Sequence, residues 1–72
     1  MVYQTAEPVL LLDQATRTRI RAALRNYRGG AWAPQGIDRQ WWSEFAKGRV
    51  EAVPVSRFRI IAAWFPAVRI VL

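Results

Sequence analysis

The spacing of apolar positions along this 72-residue chain changes several times, and each change marks an element. Val9 to Leu12 is a short apolar run behind Pro8, a length that suits a strand. From Gln14 to Arg28 the period is helical, with Asp13 and Thr16 as candidate caps. Ile20, Leu24 and Tyr27 share one stripe of that helix, and Arg17, Arg21, Arg25 and Arg28 share an adjoining one. The Gly29-Gly30 pair is expected to end it, because glycine takes the left-handed C-terminal conformation without steric cost. Between Ala31 and Gln35, Pro34 restricts any helix to about one or two turns.

The next pattern is the clearest in the chain. Asp38 reads as an N-cap, and the segment from Arg39 to Lys47 divides into two arcs. Trp41, Trp42, Phe45 and Ala46 lie on one; Arg39, Gln40, Ser43 and Lys47 lie on the other. Gly48 stops the helix, and Val50 to Pro54 reads as a connecting loop. A last helix starts at Val55 or Ser56, carries Phe58, Ile61, Ala62 and Phe65 on one face, and is closed by Pro66. Ala67 to Leu72 alternates, with Val68, Ile70 and Leu72 on one side, and is expected to be a strand. It has two candidate partners: Val9 to Leu12 of the same chain, or its own copy across a two-fold axis. An uncovered apolar edge is a liability, so something is expected to cover it.

Composition narrows the chemistry. The chain has no cysteine and no histidine, which removes disulfides, thiolate metal sites and the commonest general base. Glu7, Asp13 and Glu51 show no spacing suited to acid–base work, and there is no glycine-rich phosphate loop. The expectation is a protein that is not an enzyme and needs no cofactor or metal. Apolar residues make up 53% of the chain, enough to build a small core. No segment reads as a signal peptide or a membrane span, so a cytoplasmic location is expected.

Charge points to a partner. Eleven Lys and Arg face five Asp and Glu, for a net charge of +6, and Lys47 is the lone lysine. Arginine offers a planar, permanently charged fork suited to phosphate and to guanine edges. A polyanion is therefore expected, nucleic acid before anionic lipid, against the plainer reading that the arginines only solubilise a small apolar domain. The four tryptophans read as core at helical spacing, with Trp41 the one to find half exposed.

The order helix, turn at Gly36, capped helix is the helix-turn-helix plan. Residues 36–49 (GIDRQWWSEFAKGR) resemble the turn and recognition helix of the lambda repressor and Cro-like family of phage regulators. Gly36 matches the turn glycine, Ile37 the apolar residue after it, Asp38 the small N-cap, Trp42 and Phe45 the buried positions, and Gly48 the closing glycine. Pro54 to Phe65 is similar to the following family helix, so the likeness spans about residues 14–65. Two departures stand out. The register of the family's small close-contact residue falls on Trp32, between Ala31 and Ala33. Pro34 shortens the first helix of the motif, so either Ala33 makes the close contact or the packing angle differs.

The resemblance implies a mainly α, lambda-repressor-like helix-turn-helix bundle of four short helices with short β-strands at the N- and C-termini. It also implies one DNA-binding domain over residues 1–72: an N-terminal arm or strand (1–13), a helical core (14–65) and a C-terminal strand (67–72). Arg39, Gln40 and Ser43 would touch base edges; Arg28, Lys47 and Arg49 would contact phosphate, as would Arg25 and Arg57. Glu44 would be repelled by phosphate unless it accepts from cytosine or pairs with an arginine. The implied partners are double-stranded DNA and a second copy of the chain, since one helix reads few base pairs. The implied role is a phage or mobile-element repressor. Two alternatives remain open at this point: a protein of this fold that binds and inhibits a host protein, and a nonspecific architectural DNA binder.

Overall fold

The computed structural model describes residues 7–28 and 32–71, the last two by backbone alone. Four helices and a two-stranded antiparallel sheet make up the fold: β1 (Val9–Leu11), α1 (Gln14–Ala23), a 3-10 turn (Arg25–Tyr27), α2 (Arg39–Ala46), β2 (Ala52–Pro54), α3 (Val55–Trp64) and α4 (Pro66–Val71). Among the described residues, no helix is long and apolar enough to cross a membrane.

Each of the first three helices begins where a carboxylate meets its free N–H groups. The Asp13 carboxylate accepts from Thr16 N at 2.8 Å, and that of Asp38 accepts from Trp41 N at 2.9 Å. Helix α3 follows Pro54 and has no side-chain cap of its own. Its cap comes from the far end of the sequence: Ser56 N donates to Glu7 Oε1 at 2.9 Å. Satisfying such orphan donors is worth about 1 kcal/mol at each helix start.

The core is one cluster. Trp42, Phe45 and Ala46 of α2 meet Ile20 of α1 and Leu24 at its C-cap, Ile61 of α3, Val53 of β2 and Val68 of α4. The indole N–H of Trp42 donates to the Tyr27 carbonyl at 3.0 Å, so the most bulky buried side chain carries no unsatisfied polar atom.

Several sequence expectations are corrected. The helix predicted to Arg28 ends at Ala23, where Leu24 N caps back to the Ile20 carbonyl, and the chain tightens into the 3-10 turn. Tyr27 thereby leaves the buried stripe and is 44% exposed. The Gly29-Gly30 pair and Ala31 lie outside the described residues, as do Met1 to Ala6 of the arm and Leu72. No helix forms over residues 32–38; Pro34 to Ile37 make a turn closed by Ile37 N to the Pro34 carbonyl at 3.1 Å. Gly36 takes φ 91° there, the positive value that the third residue of a type II turn requires. Trp32 and Trp64, expected in the core, are exposed.

The two largest corrections concern strands. Residues 52–54 of the expected loop are β2, paired with β1 in the register Val9↔Pro54, Leu10↔Val53, Leu11↔Ala52. Proline is tolerated at this strand end because the next ladder bond is donated by Val55 N, to the Pro8 carbonyl at 3.0 Å. The segment predicted as the C-terminal strand is α4 instead, so it pairs with neither β1 nor a copy of itself in extended form. Pro66 suits the first helical position, where its missing N–H costs nothing. Val68 is fully buried, and α4 packs on α1 and α3. That packing outweighs the β preference of a short β-branched segment.

Candidate nucleic-acid interface

Helix α2 holds its expected shape. It runs from Arg39 to Ala46 with Lys47 as C-cap, and Gly48 follows at φ 76°. At about 100° per residue, Arg39, Gln40, Ser43 and Lys47 share the outer arc, while Trp42, Phe45 and Ala46 share the buried one. Arg39 and Gln40 are exposed; Ser43 and Lys47 are partly covered. Glu44 sits on the same outer side and pairs with Arg49 at 3.4 Å, the second of the two outcomes its position allowed. Both partners are well exposed, so the pair is worth little in stability. It does remove Glu44 as an isolated negative charge on this face.

Where α2 ends, α1 passes close by. A Cβ on Gly48 would stand 2.8 Å from the Arg17 carbonyl oxygen and 3.4 Å from Arg21 Cβ. This near-contact brings Arg17 and Arg21 of α1, with Arg25 and Arg28 of the turn that follows, beside the end of α2. An open groove of about 440 Å³ results, lined by Arg21, Arg25, Arg28, Lys47 and Arg49. All five are cations. A second hollow of about 180 Å³ adjoins it, lined by Gln14, Arg17, Thr18, Arg21, Lys47 and Gly48.

Four of the five Asp and Glu side chains have partners, three of them away from the groove. Glu7, Asp13 and Asp38 cap helices and Glu44 holds Arg49. Hydrogen bonding from Ser56 holds the Glu7 carboxyl below its ordinary value of 4.5. Hydrogen bonding from Thr16, with a smaller pull from Arg19 and Arg17, does the same for Asp13 relative to 3.8. Arg21, Arg25, Arg28 and Lys47 form no ion pair with a described residue. Four guanidinium groups and one ammonium therefore face one concavity, and among the described residues Glu44 is the one carboxylate that pairs with any of them.

Of the residues expected to contact phosphate, the fold brings Arg25, Arg28, Lys47 and Arg49 together and leaves Arg57 apart. Arg57 stacks over the half-buried Trp41, its guanidinium carbon 4.7 Å from the ring centre, and Trp41 in turn stacks on Phe45 at 5.3 Å. Arg39, Gln40 and Ser43 share the outer arc of α2 that leads to Lys47 at the groove edge. Arg21, which lines both hollows, was not among the expected contacts. Its signal was the Arg17–Arg21–Arg25–Arg28 spacing, expected to form one helical face; only Arg17 and Arg21 lie on α1, and the spacing did not say what they would meet. Arg17 lines the second hollow and donates to the Leu12 carbonyl, which ties the start of α1 to the strand before it.

The helix preceding α2 is α1, with residues 24–38 between them, so the tight two-helix unit of a helix-turn-helix is not formed by the segment just before Gly36. Among the described residues, no cluster of three or more His, Cys, Asp or Glu is placed to hold a metal ion. No protein-family model, no curated protein and no solved structure matches this chain.

Proposed function

We propose that this protein binds double-stranded DNA, with the outer arc of α2 in the major groove and the five-cation groove on an adjoining phosphate backbone. The observation that carries the reading is this groove, set where the polar arc of α2 ends. An α-helix fits the major groove, where Arg39 suits guanine O6 and N7 and Gln40 suits adenine N6 and N7. Ser43 lies one turn further along the same arc. Phosphate contacts from Arg21, Arg25, Arg28, Lys47 and Arg49 set register and affinity and leave sequence to the base edges. The similarity of residues 36–49 to the reading segment of lambda repressor and Cro-like regulators supports a sequence-specific role, as a repressor that occludes a promoter. One helix reads few base pairs, so two copies on half-sites about one helical turn apart complete the reading. The helical state of residues 66–71 moves any dimer contact away from an extended C-terminal pairing.

The test is selection of bound sites from random duplex DNA, followed by affinity measurement over a salt series. Neutralising five phosphates gives a slope of log affinity against log salt near about −4.5. Lys47→Ala is expected to weaken all sequences alike and flatten the slope by about 0.9. Gln40→Ala is expected to relax preference at one position, by about 1–3 kcal/mol of discrimination. Recovery of no common site, or equal losses on every sequence for both variants, rejects the assigned roles.

A further inference from the structure

Tyr27, Trp32 and Trp64 form a solvent-facing group of rings for which the duplex reading has no use. They are 44%, 43% and 54% exposed, in a domain whose small interior is already filled by other side chains. Trp32 is the hub. Its ring centre lies 5.6 Å from Tyr27 and 6.1 Å from Trp64, at interplanar angles of 49° and 81°. Tilted packing of this kind braces the rings against one another and leaves ring area for a further planar group. Trp32 also stands edge-on to Trp42, 5.8 Å away, on the buried arc of α2. The ring group therefore lies behind α2, on the side of Trp42 and opposite Gln40.

The group is joined to the cationic groove by one short element. The 3-10 turn carries Arg25, and Arg28 follows it; both line the groove, while Tyr27 between them belongs to the ring group. Cations and exposed aromatic faces thus meet along a single seam.

We propose that this seam binds single-stranded nucleic acid, with phosphates in the groove beside Arg25 and Arg28 and bases stacked on Tyr27 and Trp64. The inference rests on the affinity of the groove for phosphate proposed above, and not on α2 reading a duplex. A nucleotide carries both matching chemistries in one repeating unit: an anion, and a flat π-surface that any aromatic ring accepts. Duplex DNA supplies the anion but keeps its bases stacked on each other. A second copy of this chain brings a net charge of +6 against +6, which opposes self-association at a cationic rim.

The test compares a fluorescent oligothymidylate of about 16 nucleotides with a duplex of random sequence, by anisotropy at low salt. Trp64→Leu and Tyr27→Leu are the variants, because leucine keeps apolar bulk and removes the stacking face. The Tyr27 carbonyl that accepts from Trp42 is untouched by its substitution. Each variant is expected to weaken the oligothymidylate roughly ten-fold, with duplex affinity within about two-fold, measured on protein that circular dichroism shows folded at the assay temperature. Oligothymidylate is expected to change the tryptophan emission of the wild type, and inorganic polyphosphate is not. Unchanged oligothymidylate affinity in both variants overturns the inference. So does a loss seen only on phosphatidylglycerol vesicles, which makes the rings a lipid contact, or a dimer that Trp64→Leu dissociates without affecting oligothymidylate. Wild-type protein that binds duplex but not oligothymidylate removes this inference alone. Protein that binds oligothymidylate but no duplex supports it and removes the duplex reading.

Discussion

Replacing Gly48 by alanine puts the junction of α1 and α2 under a strain that two separate effects create. Gly48 sits at φ 76°, a left-handed conformation that costs a residue with a Cβ about 1–2 kcal/mol. Its new methyl group would also stand 2.8 Å from the Arg17 carbonyl oxygen, a backbone atom that cannot swing aside. Relieving that overlap means separating the helices, at a further cost of about 1–3 kcal/mol. The total, roughly 2–5 kcal/mol, is a large share of the roughly 4–11 kcal/mol that a domain of this length holds. In a domain this small each kcal/mol moves the melting temperature by about 4–8 °C, so circular dichroism should show a fall of at least about 8 °C. Gly36→Ala is the comparison. It meets only the side-chain end of Ile60, Cδ1 at 3.3 Å, which can turn aside more easily than backbone, and its cost should stay near the backbone part alone. Gly48→Asn separates the two effects, since asparagine tolerates the left-handed region but keeps the overlap. A Gly48→Ala melt within about 4 °C of wild type, or a larger loss from Gly36→Ala, refutes the account of this junction. Because Lys47 and Arg21 flank the same contact, polyanion affinity measured on the folded variant should fall as well.

Trp42→Phe removes the indole N–H that serves the Tyr27 carbonyl and leaves a small void in a fully buried site, at an expected cost of about 2–3 kcal/mol in urea denaturation; a cost under about 0.5 kcal/mol contradicts the role given to this bond. Acid should weaken the fold through Glu7 and Asp13, whose folded-state carboxyls are held below 4.5 and 3.8 by the helix N–H groups they cap. Their contribution is complete above the ordinary values and is lost as pH falls through the lower folded-state ones, so urea midpoints should drop as pH falls below about 5. Glu7→Gln should reduce that drop, and an identical acid profile for the variant refutes the assignment.

The elements read correctly in advance are those encoded within about one turn of chain. Asp38 ahead of the Trp–Trp arc and Gly48 behind it mark both ends of α2, because a cap and a left-handed glycine act on their immediate neighbours. The arc itself follows from side-chain periodicity, which also placed Arg39, Gln40 and Ser43 on the outward side. Arg17 and Arg21 were equally legible as neighbours on α1, whereas Arg25 and Arg28 fall beyond its end, in and just after the 3-10 turn.

What needed the folded chain are the states of segments too short to choose for themselves, and the company that each surface keeps. Residues 52–54 become a strand because β1 supplies a partner, and residues 66–71 become a helix because Val68 finds a buried seat between α1 and α3. Glu7 caps a helix that begins at Val55, a pairing that no local pattern announces. Trp32 and Trp64 stay at the surface because Trp42, Phe45, Ile20, Leu24 and Ile61 already fill the small interior. The cation groove belongs to the same class. Charge alone made the chain basic, but only the close approach of Gly48 to Arg17 sets Arg21 beside Lys47, since that contact joins residues far apart in sequence and is decided by packing.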